Sequence, residues 1–505
     1  MIQVKAPQVS YGKEIAELVR VFYPEEQVGE MLPLNEEVSE AIVLETGYDM
    51  ETADTCRFYA YLYRGGSSDC SSKPKRLAHQ ESRRSYPNYD EGLNRFIKDG
   101  IKGCVFDLLA GYTGRHPRWG AQTGVRPVKL VQELLDKGKD DAEIRILLRD
   151  IYKMQDSKIE LLLETAKNQR HLIDEPINNK VSVYIHIPFC STRCFYCSFP
   201  SDLIHRAADK MDEYLSCLER ELASVMGELK KQGTEVDTLY IGGGTPTVLS
   251  RGHLEELLKL ADRQILSRYN ILEYTIEAGR PDSLDNEKLK LMRDYGVSRI
   301  SINPQSMNQE TLDLVGRGHT VEQVLDIYHK AREIGFFCIN MDVILGLPEE
   351  TADHMERTME ALAGLKPDNI TVHTLAVKRA SVFRESFKQY DPSRKGLAEE
   401  MALVCRKWID KLGMKPYYLY RQKYMLDHLE NVGYSVPGKE CLYNIQFMEE
   451  RRDIWAFGAG AASKLYFPDE DRIERIGNVK NLDSYLYRID EMIERKLKAL
   501  KKGGN

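Results

Sequence analysis

The chain has 505 residues, and at about 150 residues per domain this length predicts roughly three domains. Hydrophobic residues make up 42% and charged residues 30%, as in an ordinary folded protein. The net charge of −7 argues against a general nucleic-acid partner, which would normally require a basic excess. The sequence has no apolar stretch of membrane-spanning length and its first residues have no signal-peptide pattern, so we expect a cytoplasmic protein without a membrane span.

Residues 1–178 form the first predicted domain, which has a mixed α+β pattern and no assigned role. The aromatic run 57–63 is typical of a strand, whereas the Ser-, Lys- and Arg-rich stretch 66–86 is typical of an exposed loop. Apolar residues at helical spacing predict a helix over 89–109. Pro127 is expected in the first turn of a further helix, with Thr123 as its cap.

From residue 179 onward, short β-rich runs alternate with long amphipathic segments, which predicts a parallel α/β sheet. Six such units either close into most of a barrel or remain open, and in both cases the loops after the strands share one rim, where active sites gather. We place this core at 179–390 and a mainly helical C-terminal domain at 391–505. The predicted strands are 181–187, 238–243, 274–277, 299–303, 340–345 and 369–375, and the helical segments are 206–232, 252–267, 283–295, 308–335 and 350–364.

Three of the ten cysteines form a C-x3-C-x2-C cluster, Cys190, Cys194 and Cys197, directly after the first strand of this core. A disulfide framework is not expected in a long chain without a secretion signal. Three thiolates on a short loop can hold three irons of a [4Fe–4S] cluster and leave the fourth iron open, as in catalytic sites. The alternatives are chance and a zinc site with His186 as the fourth ligand, although His186 lies within the strand.

The run from Tyr184 to Cys197 resembles the radical S-adenosylmethionine (SAM) superfamily, and its first residues resemble the oxygen-independent coproporphyrinogen III oxidases. The resemblance covers roughly residues 181–465. It implies a partial (β/α)6 barrel, a [4Fe–4S] cluster bound by the three cysteines, and S-adenosyl-L-methionine as the second cofactor. Within this group the HemZ-type coproporphyrinogen dehydrogenases have an N-terminal extension like residues 1–178, whereas the HemN and HemW types do not.

Further segments at strand ends point to the same family. Gly242-Gly243-Gly244-Thr245-Pro246 resembles a SAM-binding motif whose glycine N–H groups could hold a carboxylate, although glycines alone could form only a tight turn. Glu277 suits the ribose hydroxyls or the amino group of SAM, and Asp342 is a charge within an apolar strand, which is costly unless it is paired. The sequence departs from the family pattern at Arg280 and Asn303. The SAM contacts that the resemblance implies are Tyr184, Tyr196, Gly243, Gly244, Thr245, Glu277, Gln305, Arg317, Asp342, Ala376 and Ala462.

The implied activity is that of a radical SAM oxidoreductase of haem biosynthesis. Such an enzyme converts two propionates of coproporphyrinogen III into vinyl groups, giving protoporphyrinogen IX, through a 5′-deoxyadenosyl radical made from SAM. We therefore expect a small-molecule tetrapyrrole substrate, an external one-electron donor, a C-terminal domain that covers the substrate, and a monomer. Cations that could meet the substrate carboxylates, although each is more often a solvated surface charge, are Lys378, Arg379, Arg384, Arg421 and Lys423.

Two other functions remain open on the sequence. A haem chaperone of the HemW type would keep the SAM site, but its H-N-x-x-Y-W motif has only a partial counterpart in the segment 442–447, which lacks the His and the Tyr-Trp pair. Another radical SAM reaction on a tetrapyrrole, such as methyl transfer with ring opening, is the third possibility, because substrate specificity lies in segments without a match.

Overall fold

The structure is a computed structural model, and it forms two compact units, Met1–Glu164 and Thr165–Asn505. The domain boundaries expected near residues 178 and 390 stay predictions, because 174–178 and 377–395 lie outside the described residues. Among the helices that are described, none has the length and apolar character needed to cross a membrane. The described residues are 1–7, 9–24, 26–30, 42–52, 54–64, 75–85, 92–173, 179–197, 199, 201–376, 396–470 and 472–502.

The first unit contains a five-stranded sheet in the order β2-β1-β3-β4-β5. Side chains alternate along β4, so that Phe58, Ala60 and Leu62 are buried in a core shared with α1 and α2, as a half-buried strand requires. The strands are Ile2–Lys5 (β1), Val28–Glu30 (β2), Ile42–Met50 (β3), Thr55–Arg64 (β4) and Lys75–Ser85 (β5). The helices are Val9–Phe22 (α1), Gly92–Thr113 (α2), Pro127–Asp136 (α3), Asp141–Asp150 (α4) and Asp156–Ile173 (α5), the last of which continues into the second unit.

Two predictions for the first unit are wrong. Part of the loop expected at 66–86 is the strand β5, which pairs antiparallel with β4. Its sequence lacks an apolar alternation because it is an edge strand, where charged side chains are common. Pro127 does begin α3, but Thr123 does not cap it; its hydroxyl accepts a hydrogen bond from Lys102 Nζ at 3.0 Å.

The second unit is built on a sheet of eleven strands, counted over the described residues, whose six central strands are all parallel. Each of the six predicted strands is present, and the partial (β/α)6 core is confirmed. The strands of this part are Lys180–Ile187 (β6), Phe189–Cys190 (β7), Asp202–Leu203 (β8), Glu235–Gly243 (β9), Glu273–Glu277 (β10), Arg299–Ser301 (β11), Cys338–Leu345 (β12) and Asn369–Thr374 (β13).

The intervening helices follow the predicted segments except at 308–335, which is two helices rather than one. Gly316 has a φ of 74°, a left-handed conformation that ends the first helix, and Thr320 caps the second. Arg317 lies between the two helices and thereby reaches the rim of the sheet. The helices are Met211–Lys231 (α6), Arg251–Ala261 (α7), Asn286–Asp294 (α8), Gln309–Leu314 (α9), Val321–Ile334 (α10) and Ala352–Leu365 (α11).

The C-terminal part has more helix than strand among its described residues, yet it also extends the sheet at both sides. β15 pairs antiparallel with β13, and β16 pairs parallel with β6. The strands are Lys415–Tyr420 (β14), Asn431–Ser435 (β15), Ile454–Phe457 (β16), Ala462–Phe467 (β17) and Arg472–Gly477 (β18). The helices are Leu397–Lys411 (α12), Leu442–Glu449 (α13), Leu482–Tyr487 (α14) and Ile489–Lys502 (α15).

Candidate active site

The carboxyl ends of the six parallel strands bring the predicted site segments to one rim. The cysteine loop follows β6, the glycine segment ends β9, and Glu277 is the last residue of β10. Gln305 follows β11 and forms an isolated parallel bridge with Val343 of β12. Since neighbouring parallel strands end at the same edge, residues far apart in sequence meet there, as in other α/β sheets.

The cysteine loop is fixed to its neighbours by short contacts. Cys190 Sγ lies 3.8 Å from Thr245 Oγ1, and the amide of Phe195 donates to the carbonyl of Val315 at 3.2 Å. The amide of Cys197 donates to the carbonyl of Cys194 at 3.1 Å, and Cys194 is buried. The loop is therefore held at the rim, and its three thiols are the soft ligands that iron–sulfur chemistry requires.

A single metal ion does not fit the site as well. Nowhere in the described part of the chain do three His, Cys, Asp or Glu side chains approach one another as the ligands of one ion do. In a [4Fe–4S] cluster each cysteine binds its own iron, so the sulfurs need not converge on one point. His186, the fourth ligand of the zinc alternative, has its Nδ1 2.6 Å from the carbonyl oxygen of Ala459, so only its Nε2 would be left to bind an ion.

The glycine segment packs directly against the cysteine loop. A Cβ atom on Gly244 would lie 2.4 Å from the carbonyl oxygen of Phe189 and 3.0 Å from Cys190 Sγ, so only glycine fits there. The amide of Gly244 donates to the carbonyl of Ile187 at 2.8 Å, and that of Thr245 to the carbonyl of Phe189 at 2.7 Å. The expectation that these residues present free N–H groups is therefore wrong. Their contact with SAM stays a prediction.

Glu277 is held by two hydrogen bonds at the end of β10. Its Oε1 accepts from the hydroxyl of Tyr240 at 2.7 Å, and its Oε2 accepts from the amide of Gly243 at 3.1 Å. Tyr240 in turn stacks on Tyr443, with ring centroids 4.5 Å apart. Burial raises the pKa of Glu277 to about 7, and the charge of Asp342 adds to the rise, although both hydrogen bonds oppose it. This carboxyl therefore changes its protonation near neutral pH.

Asp342, a charge inside an apolar strand, has the partners that such a charge requires. Its Oδ1 accepts from Asn340 Nδ2 at 2.7 Å, and its Oδ2 lies 3.5 Å from Nε2 of His373 on the neighbouring strand. Burial raises the pKa of Asp342, but the bonds to His373 and Asn340 outweigh that effect, and the pKa is lowered. Asp342 therefore stays ionised beside a glutamate that titrates.

Gln305 and Arg317 are buried, and each has one polar side-chain atom without a hydrogen-bond partner among the described residues. Gln305 has a φ of 67°, and its side-chain Oε1 has no hydrogen-bond partner within the described chain. Arg317 donates through Nη1 to the hydroxyl of Tyr196 at 2.9 Å and through Nη2 to the carbonyl of Gly279 at 2.9 Å, but its Nε is unpartnered there. Buried polar atoms are rarely left unpaired, so this pattern is what a bound polar cofactor would complete.

The remaining predicted contacts differ in how closely the structure ties them to the rim. Tyr184 on β6 stacks near Tyr443, with ring centroids 6.0 Å apart, and Tyr196 accepts from Arg317. Ala376 lies two residues after the end of β13 and forms an isolated antiparallel bridge with Met425. Ala462 is exposed at the start of β17, and no described hydrogen bond connects it with the other predicted contacts.

Sequence reasoning missed Arg280, which is buried against the cysteine loop. Its Nη1 donates to Thr192 Oγ1 at 2.8 Å and to Cys194 Sγ at 3.6 Å. The available signal is the departure from the family pattern at Arg280, which the sequence alone does not connect with the cysteine loop. Tyr240 and His373 were missed as well, because a tyrosine and a histidine inside a strand resemble ordinary core residues.

The candidate cations for a carboxylate substrate are only partly described. Lys378, Arg379 and Arg384 lie outside the described residues. Arg421, directly after β14, is half-buried, and burial lowers its pKa to about 10 against the opposing charge of Glu430. Lys423 is exposed.

Known proteins resemble this chain in sequence and in fold. Residues 184–362 match the model of the Radical SAM superfamily. The oxygen-independent coproporphyrinogen-III oxidase-like protein HemZ of Bacillus subtilis is 39% identical over 406 residues, which cover 80% of this chain and 81% of HemZ. The heme chaperone HemW of Bacillus subtilis is 32% identical over 283 residues, covering 55% of this chain and 70% of HemW. The structure of the coproporphyrinogen III oxidase HemN from Escherichia coli, a radical SAM enzyme, has a TM-score of 0.51 and 26% identity over 65% of this chain and 73% of HemN.

Proposed function

Since this chain belongs to the radical SAM superfamily, among the oxygen-independent coproporphyrinogen III oxidase-like proteins, we propose that it converts propionates of coproporphyrinogen III into vinyl groups, yielding protoporphyrinogen IX. Its cofactors are SAM and a [4Fe–4S] cluster, which together supply the abstraction of a hydrogen atom from an unactivated carbon. Each propionate then loses one hydrogen atom, carbon dioxide and one electron. The electron donor and acceptor are external to the chain.

The observation that carries the proposal is the placement of the three thiols. Cys190, Cys194 and Cys197 lie on one loop at the carboxyl ends of the strands, where the backbone of Gly244 and the side chain of Arg280 contact that loop. We assign these three cysteines as the cluster ligands. With three protein ligands for four irons, one iron is left to bind a second ligand, which marks a catalytic cluster rather than a structural one.

The neighbouring polar groups suit SAM. The carboxylate of Glu277 can accept from an ammonium or from ribose hydroxyls, and the lowered pKa of Asp342 keeps a second negative charge beside it. The unpartnered Oε1 of Gln305 and Nε of Arg317 add one acceptor and one donor. We assign these four side chains to SAM binding, where they orient the cofactor and replace the water that it loses on binding.

A tetrapyrrole with several carboxylates also needs cations and an apolar surface. Tyr240 and Tyr443 present stacked rings beside Glu277, and Tyr418 and Tyr420 stack on β14 with ring centroids 6.4 Å apart. Such rings can pack against a flat macrocycle. Arg421, the residue after β14, is our candidate for a substrate carboxylate, because a guanidinium can bind one in a bidentate manner.

The activity test is anaerobic reconstitution with iron and sulfide, followed by incubation with SAM, a reductant and coproporphyrinogen III. The proposal predicts 5′-deoxyadenosine together with a tetrapyrrole carrying new vinyl groups. A matched variant with Cys190→Ala, Cys194→Ala and Cys197→Ala should give neither product. Formation of 5′-deoxyadenosine without any vinyl product, when the substrate is bound, would contradict the proposed reaction.

A haem chaperone is the second candidate, and the similarity to HemW favours it. The segment nearest to the chaperone motif forms α13, whose side chains are occupied inside the protein. Tyr443 stacks on Tyr240, and Gln446 Oε1 accepts from Thr238 Oγ1 at 3.3 Å. This helix supplies no histidine for haem iron. Titration with haem distinguishes the two functions, because the chaperone would bind haem tightly and leave coproporphyrinogen III unchanged.

A further inference from the structure

The loop after β10 places a buried arginine against the sulfur of a cysteine. Arg280 is 4% exposed, and its Nη1 lies 3.6 Å from Cys194 Sγ and 2.8 Å from Thr192 Oγ1, both of which accept from it. The same Nη1 also donates to the carbonyl of Thr192 at 3.3 Å. The guanidinium therefore reaches the cysteine loop through one nitrogen only.

The other side of the guanidinium is fixed by a carboxylate. Arg280 donates from Nε to Asp282 Oδ1 at 3.0 Å and from Nη2 to Asp282 Oδ2 at 3.1 Å, which is a bidentate pair. Asp282 also accepts from Ser191 Oγ at 3.3 Å, and its Oδ1 lies 3.9 Å from Nδ1 of His319, whose side chain is fully buried. Two fixed bonds on one side leave the plane of the guanidinium little freedom, so Nη1 stays directed at the loop.

The orientation of the Arg280–Asp282 ion pair determines which part of it the sulfur of Cys194 meets. Asp282 balances the charge of Arg280, but it binds Nε and Nη2, whereas Nη1 faces Cys194. The sulfur therefore meets the positive end of a buried dipole and an N–H donor. Hydrogen bonds to cluster sulfurs are among the factors that set the reduction potential of an iron–sulfur cluster. A donor stabilises the reduced form more, because reduction adds negative charge.

We propose that Arg280, oriented by Asp282, is a positioning residue that donates a hydrogen bond to the Cys194 thiolate and raises the reduction potential of the cluster. This inference rests on the assignment of the three cysteines as cluster ligands under the proposed function. Arg280 acts through Cys194 and needs no contact with SAM or with the tetrapyrrole. It gives a role to a residue at which the sequence departs from the family pattern.

The test compares wild-type protein, Arg280→Met, Arg280→Lys and Thr192→Val after anaerobic reconstitution of the full chain. Iron and sulfide are quantified first, and the cluster is then titrated with dithionite while its paramagnetic resonance signal is recorded. Arg280→Met removes the donor and the charge. Arg280→Lys keeps a charge but cannot bind Asp282 and the loop with a rigid fork. Thr192→Val removes one acceptor and leaves Arg280 held by Asp282.

At the potential where half of the wild-type cluster is reduced, we expect about a tenfold lower ratio of reduced to oxidised cluster in Arg280→Met. For a one-electron couple this corresponds to a midpoint about 59 mV lower. Arg280→Lys should show a smaller decrease, and Thr192→Val should titrate within twofold of the wild-type ratio. These results, at wild-type iron content, would support a role in setting the potential.

Unchanged midpoints in Arg280→Met and Arg280→Lys, at wild-type iron content, would overturn the inference. Failure of both variants to bind iron would overturn it as well, because Arg280 would then serve assembly of the loop. If only Arg280→Met fails to bind iron, the midpoint of Arg280→Lys decides: a decrease supports the inference and an unchanged value refutes it. Absence of a cluster in the wild-type protein would instead refute the cysteine assignment of the proposed function.

Discussion

Two glutamates at opposite ends of β10 differ in how fully the folded chain satisfies them, which we relate to stability at one end of the sheet and to the proposed SAM site at the other. Glu273 at the start of the strand accepts hydrogen bonds from Cys441 Sγ at 3.2 Å, from the amide of Leu442 at 2.8 Å and from that of Tyr443 at 3.1 Å. It also lies 3.5 Å from Nε of Arg299. Both of its oxygens are therefore satisfied, and it fixes the N-terminus of α13.

Glu277 at the end of the same strand accepts from a tyrosine hydroxyl and one amide, and it has no ion pair like that of Glu273 among the described side chains. Burial raises its pKa to about 7, and the unpartnered polar atoms of Gln305 and Arg317 belong to the same rim. Polar groups that a folded chain leaves unsatisfied reduce stability, and they persist where a ligand completes them. Substitutions at the Glu273 end of β10 should therefore mainly lower the stability of the protein, whereas substitutions at the Glu277 end should mainly weaken cofactor binding.

The largest effect is expected from the cysteines. Cys194→Ala should reduce cluster content and SAM cleavage to background because one iron loses its ligand, with little change in the melting temperature of the apoprotein. Iron analysis, 5′-deoxyadenosine assay and thermal unfolding measure these quantities. Cys441→Ala is the matched control at the other end, where the thiol bonds Glu273. Cys441→Ala should lower the melting temperature and leave the cluster content unchanged. Loss of the cluster in Cys441→Ala, or a lower melting temperature with an intact cluster in Cys194→Ala, would contradict the division between the two ends of β10.

Glu273→Ala should have the next largest effect, on stability. Removing one partner of a buried ion pair typically costs about 3–5 kcal/mol, and here two amides of α13 also lose their acceptor. Urea unfolding of the apoprotein should show this loss. Glu277→Ala should cost much less, since its carboxylate is poorly accommodated in the absence of SAM. If Glu273→Ala and Glu277→Ala lost the same free energy of unfolding, the proposed difference between the two ends of β10 would be refuted.

The third effect is on SAM affinity and its pH dependence. Glu277→Gln should weaken SAM binding about tenfold, as the loss of a charge-assisted hydrogen bond worth about 1.5 kcal/mol predicts. In the wild-type protein the carboxyl loses its proton as pH rises through about 7, and only the ionised form attracts the SAM ammonium. Affinity measured by calorimetry should therefore rise between pH 6 and pH 8. This rise should be absent in Glu277→Gln and retained in Glu273→Gln; a pH-independent wild-type affinity would contradict the role of Glu277.

The smallest effect concerns the aromatic support of Glu277. Tyr443→Leu removes the stack on Tyr240, which is worth about 0.5–1.5 kcal/mol, and should weaken SAM binding by less than tenfold because Tyr240 then holds Glu277 less firmly. Tyr443→Phe keeps the ring and should bind SAM like the wild type. Calorimetry with both variants measures this difference. A similar loss in the two variants would show that the hydroxyl, rather than the stack, is important.

The features that the sequence could predict are those with a local signal. The alternation of short β-rich runs with helical segments located the six parallel strands, and the spacing of Cys190, Cys194 and Cys197 located the loop. Glu277 was identifiable because an acid at a strand end suits the ribose hydroxyls or the amino group of SAM, and Asp342 because a charge inside an apolar strand is costly unless it is paired. The structure brings both to the rim, with Asp342 paired to His373.

The features that escaped prediction depend on contacts between distant segments. β5 has no apolar alternation because it is an edge strand, and a polar run is typical of loops as well. The amides of Gly243, Gly244 and Thr245 are occupied by Glu277, by the last residue of β6 and by Phe189, respectively, which no motif reveals. Arg280 contacts Cys194 only because β6 and β10 lie on either side of β9 in the folded sheet.

The most direct test of the central claim is the paramagnetic resonance spectrum of the anaerobically reconstituted, dithionite-reduced protein before and after the addition of SAM. An iron without a protein ligand predicts a [4Fe–4S] signal that changes its g values when SAM binds, and that is absent from the triple cysteine variant. A spectrum without this signal, or one that SAM leaves unchanged, would contradict the assignment of Cys190, Cys194 and Cys197 as the three ligands of a cluster open to SAM.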